Sequence, residues 1–67
     1  MAAVEAQVKP EFAHLYPGLA PGEWYHVNQS ARELDSDQAR ALHVEAGAEL
    51  VEVAVEHIVR RKVDDGP

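Results

Sequence analysis

The chain has 67 residues, twelve acidic side chains against six basic ones, a formal charge of −6 and no cysteine. A chain of this length holds one domain with a small core, worth a net ~3–5 kcal/mol. The composition excludes disulfides and thiolate metal sites, the acid excess argues against nucleic acid as a partner, and no apolar run approaches the ~20 residues that span a bilayer. The opening Met1-Ala2-Ala3-Val4-Glu5 has neither the basic nor the apolar region of a signal peptide. The expected location is cytoplasmic, with no membrane contact.

From the N-terminus, Ala3 to Val8 alternates, with Val4, Ala6 and Val8 on one side and Glu5 and Gln7 on the other, which predicts a first strand. Pro10 ends it, because proline has no N–H to give to a ladder. Glu11 to Gly22 is a long loop in which Pro17-Gly18 and Pro21-Gly22 predict two type II turns. Within it, Glu11 to Leu15 predicts one helical turn behind Pro10. Phe12, Leu15, Tyr16 and Leu19 predict that the loop folds back onto the body.

Glu23 to Val27, aromatic and β-branched, predicts the second strand. Asn28 to Gln38 is a polar connection with a turn expected at Asp35-Ser36-Asp37. Arg40 to Val44 is the third predicted strand, and Glu45 to Ala48 a hairpin with Gly47 in the left-handed conformation. Glu49 to Val55 is the fourth. Its Val51, Val53 and Val55 recur on every second residue, with Glu52 between them and Glu56 beyond, so a strand would bury the valines and wet the glutamates. A 3₁₀ turn at Glu56-His57-Ile58 would reset the phase and bring Ile58 inward, ahead of a short fifth strand from Val59 to Val63.

A helix competes for the C-terminal half. Val44, Ala48, Val51, Val55 and Ile58 are spaced four, three, four and three, and Asp35 or Ser36 is a fitting cap for a helix reaching Lys62. Against it stand Gly47 in mid-helix, Leu50 and Val53 off the seam, and the density of β-branched residues. The fold expected is therefore mostly β.

Taken in order, these elements resemble an SH3-like barrel of about five strands. Gly22-Glu23-Trp24-Tyr25 is similar to the Gly-x-Trp-Trp segment of SH3 domains, and a polar loop, a tight hairpin, a 3₁₀ turn and a short last strand follow it. Leu15-Tyr16-Pro17 stands where those domains carry Ala-Leu-Tyr-Asp-Tyr, and Val55-Glu56-His57-Ile58 where they carry Pro-x-x-Tyr. Of the family's ligand-contacting positions only Trp24 is carried over. The resemblance implies a small β-barrel that grips a protein or peptide, without implying that the ligand is polyproline.

If Tyr25 and Val27 face the core with Leu42 and Val44, then Trp24, His26 and His43 share the outer face, with the two histidines within cross-strand reach. With Tyr16 they make an aromatic and imidazole surface suited to gripping a partner, and Glu52 and Glu56 offer charge to a basic one. The alternative is that Tyr16 or Leu19 covers Trp24, which then serves only the core.

His14, His26, His43 and His57 are too dispersed for a metal site. Glu52 and Glu56 are wet-face residues, not a catalytic pair, and Arg60-Arg61-Lys62 reads as a solvated edge. No nucleophile triad, P-loop or dinucleotide turn is found, and no cofactor is expected. The leading expectation is a non-catalytic interaction module, or adaptor. The alternatives are a small acidic regulator or inhibitor that occupies a basic site on its target, and a homo-oligomeric structural subunit.

Overall fold

A computed structural model describes residues 2–64. β1 (Ala2–Val8) is the middle strand of a three-stranded antiparallel sheet, between β2 (Tyr25–His26) and β5 (Ile58–Asp64). β3 (Ala41–Ala46) and β4 (Glu49–Ala54) form a second, two-stranded sheet. A bridge between Val27 and Val44 carries the end of β2 onto β3. The order of neighbours across the molecule is thus β5-β1-β2-β3-β4.

The fold is mostly β, and side-chain alternation explains why. Val4, Ala6 and Val8 leave β1 on one side and are buried, while Ala3, Glu5 and Gln7 lie on the other. Val27, Leu42, Val44 and Val53 join them in the core, with Leu42 and Val53 fully enclosed and paired across β3 and β4. Val44 and Val51, two positions of the competing helical seam, are likewise cross-strand partners. Ala46 and Glu49 close the hairpin around Gly47-Ala48. Gly47 has φ 64 and, among the described residues, no non-glycine residue has positive φ, the pattern of a type II′ turn. A 3₁₀ turn, Val55–His57, then shifts the phase one residue earlier than expected, and Ile58 enters the core opposite Val8.

Several boundaries differ from the expectation. The segment behind Pro10 is a six-residue 3₁₀ helix, Pro10–Leu15, and not a single turn. Only Pro21-Gly22 makes the type II turn: Gly22 has φ 88, and the Glu23 amide donates to the Ala20 carbonyl at 3.3 Å. Gly18 stays outside the positive-φ region, so the Pro17-Gly18 turn is of another type. The loop does fold back: Leu19 is buried and Tyr16 packs on the core, although Leu15 remains half exposed.

β2 is shorter than Glu23 to Val27, and Trp24 precedes it. The polar connection holds a helix that was not anticipated, α1 (Ala31–Leu34), capped by Ser30 and Glu33 in a reciprocal box. α1 places Leu34 in the core. β5 is longer than Val59 to Val63 and runs the full length of β1.

Candidate functional site

The sequence-predicted surface residues fall into three separate places. The first is the outer face of the three-stranded sheet. Glu5 on β1 is opposite His26 on β2 and Arg61 on β5, so these three form one row across the sheet. Trp24 belongs to the same face by alternation. The Arg61 guanidinium carbon lies 4.0 Å from the centroid of the Trp24 ring. Arg61 Nε and Nη2 also donate to Glu5 Oε1, at 3.1 and 2.9 Å.

Trp24 is therefore half-buried under a cation from its own chain, and Tyr16 packs elsewhere. The basic run is less free than a solvated edge. Arg61 is paired, and Arg60 Nη1 donates to the Leu34 carbonyl at the end of α1, at 2.6 Å.

The second place is where the long loop meets the 3₁₀ turn. The ring of Phe12 stacks on His57 with centroids 4.1 Å apart and planes at 23°. The Tyr16 hydroxyl is 2.8 Å from His57 Nδ1 and accepts the Ala54 amide at 3.3 Å. The same hydroxyl thus ties the loop to the end of β4. All three rings are half-buried, and their chain neighbours Glu11, Leu15 and Glu56 are exposed. The stretches that depart from the SH3 pattern, around Tyr16 and His57, are the ones that come together here.

The third place is the outer face of the hairpin. His43 is opposite Glu52, and Glu45 is opposite Leu50. Counting from the Val27–Val44 bridge, His26 falls opposite Glu45, while the Asn28 amide donates to the His43 carbonyl at 2.8 Å. The two histidines are thus offset by two residues and do not face each other. His26, His43, Glu52 and Glu56 are all exposed. Tyr25 and Val27 do turn inward with Leu42 and Val44, as alternation required.

Sequence reasoning placed Tyr16 and Glu56 at the contact surface but overlooked Phe12 and His57, although His57 stood in a segment compared with SH3 domains and Phe12 among the residues expected to fold the loop back. Nothing local to Trp24 pointed to Arg61. Among the described residues no three or more histidine or acidic side chains converge on a point. No polar or charged residue is buried there, and no enclosed side-chain nitrogen or oxygen lacks a partner. Among the described residues no helix is long and apolar enough to cross a membrane. No protein-family model, curated protein or solved structure matches this chain.

Proposed function

We propose that this protein is an SH3-like small barrel acting as a non-catalytic interaction module, and that it grips a protein or peptide partner at the Phe12–Tyr16–His57 surface. The observation that carries the reading is that cluster: three half-buried rings held in one orientation by stacking and by the Tyr16 hydroxyl. Rigid aromatic anchors bury area at low entropic cost, which suits them to recognition. Exposed Glu11 and Glu56 beside them favour a partner carrying lysine or arginine.

Three features support the barrel: the strand order, the long loop after β1, and the 3₁₀ turn before β5. Trp24, His26 and His43 lie outside this surface.

Selection of a random peptide library on the full chain tests the proposal. Enriched peptides should combine apolar and basic residues. Phe12→Ala and His57→Ala should weaken them at least tenfold with the far-UV circular dichroism unchanged, and Trp24→Ala should not. A library that yields no ligand, or ligands indifferent to Phe12 and His57, refutes it.

The acidic-regulator reading has one observation in its favour. From residue 41 to 59 the chain carries Glu45, Glu49, Glu52 and Glu56 and no lysine or arginine. A partner held by that field alone would be released steeply as salt rises, whereas an aromatic grip would not.

A further inference from the structure

The register of the hairpin says where each backbone group of β4 points. The Val55 amide donates to the Arg40 carbonyl at 3.1 Å, so this pair is of the hydrogen-bonded kind. Alternation then makes Val53, Val51 and Glu49 hydrogen-bonded to β3 and turns the N–H and C=O of Ala54, Glu52 and Leu50 away from it. The same parity holds on β3, where the outward groups of His43 meet Asn28 and Gln29. The Ala54 amide is taken by the Tyr16 hydroxyl. Leu50 and Glu52 have no such neighbour among the described residues, because β4 pairs with β3 alone.

We infer that β4 is a strand-addition edge, and that its occupant is an extended, lysine- or arginine-bearing segment of the partner, laid along Leu50 and Glu52 and ending against Tyr16. This rests on the interaction-module reading and extends the aromatic surface along the strand where the Tyr16 bond ends. Charge and apolar exposure select the occupant. Glu49 and Glu52 are exposed on β4 and Glu56 in the 3₁₀ turn beyond it, and Leu50, 55% exposed, is the most open large apolar residue among those described. Pairing two β4 edges from separate copies would set these glutamates against each other, which disfavours a symmetric dimer. The other free edge, β5, has the opposite character. Its outward residues Arg60 and Lys62 are cationic, a common guard against strand pairing.

The test uses the full chain, labelled with ¹⁵N, and a capped eight-residue peptide alternating lysine with valine. Amide exchange at Leu50 and Glu52 should slow at least tenfold at saturation. N-methylating one alternate set of peptide amides should abolish the effect and methylating the other set should leave it, because only one set faces β4. A peptide with glutamate in place of lysine should do nothing. Glu52→Pro removes the outward N–H, and Glu52→Lys reverses the charge without touching the backbone; each should weaken binding at least tenfold.

Shifts confined to Phe12, Tyr16 and His57, with Leu50 and Glu52 unchanged, overturn the edge and leave the aromatic surface standing. Protection at Leu50 and Glu52 that survives His57→Ala unchanged keeps the edge and refutes its union with the aromatic surface. Protection without peptide that grows with protein concentration makes a second copy the occupant and overturns the inference, as does a peptide that perturbs no residue.

Discussion

On the outer face of the three-stranded sheet, the interacting groups are matched from within the chain. Trp24 has Arg61, and Arg61 has Glu5. At the far edge of the hairpin, the strand ends in one internal match, Ala54 to Tyr16, and then leaves Leu50 and Glu52 with no backbone partner among the described residues, beside exposed glutamates. Both regions are built from alternating strands over the same core. The difference lies in what the neighbouring segment supplies. β5 delivers a cation of the right reach to Trp24, whereas the long loop delivers to β4 a hydroxyl at one position only. An aromatic residue at the surface is thus a weaker pointer to binding than a backbone edge that the chain does not finish.

The largest predicted effect asks whether the two regions fold together. Leu42 is fully enclosed on β3, and Leu42→Ala should cost about 2–5 kcal/mol. Against a net stability of ~3–5 kcal/mol for so small a domain, the variant should be largely unfolded at 37 °C. Trp24 fluorescence reports on the other sheet, so its transition should move together with the far-UV signal. A Trp24 signal that stays native while β3–β4 melts would mean that the sheets are separable. Next in size is Tyr16→Phe, which removes the acceptor for the Ala54 amide and the hydrogen-bond partner of His57 Nδ1. The expected loss is about 1–2 kcal/mol, read by urea unfolding at constant slope. A loss near zero would show that the loop is held by the Phe12–His57 stack alone.

How far these contrasts were legible in the sequence follows from the range of each interaction. The valines of β4, the inward turn at Ile58 and the left-handed Gly47 were readable because each depends on neighbours a few residues away. α1 was readable in principle, since Ser30 and Glu33 form a capping box. It was passed over because four residues carry too little apolar periodicity to register. The pairings that define the candidate surfaces are not local. Tyr16 meets His57 across 41 residues of sequence, and Glu5 meets Arg61 across 56. Alternation fixes which face a residue is on, but not which distant side chain will reach it. That is why Trp24 was expected to be either bare or covered by Tyr16 or Leu19, when Arg61 covers it.

Gly47→Ala should cost about 1 kcal/mol, since the left-handed φ is strained for alanine although open space surrounds its Cβ. In a chain of this size that is a fall of roughly 4–8 °C in the melting temperature. It should also loosen β4 against β3 without touching the Arg61 cluster, so the Trp24 emission maximum at low temperature should stay where it is.

Arg61→Ala is expected to have the smallest effect, and it bears most directly on the contrast between the two regions. The pair with Glu5 is exposed, the side chains being 49% and 29% accessible, so solvent screening discounts it to under ~1 kcal/mol. The stacked guanidinium adds about 0.5–1 kcal/mol at such a site. The stability loss should therefore stay near 1 kcal/mol and shrink as salt is raised from 0.05 to about 0.5 M. The spectroscopic change should be larger than the thermodynamic one: uncovered Trp24 should become more accessible to an aqueous quencher. If Arg61→Ala makes Trp24 bind the peptides selected on the native chain, the three-stranded face is a contact surface masked from within. If it exposes the ring and binding is unchanged, Trp24 and Arg61 serve the fold, and recognition belongs to the loop, the 3₁₀ turn and the unfinished edge of β4.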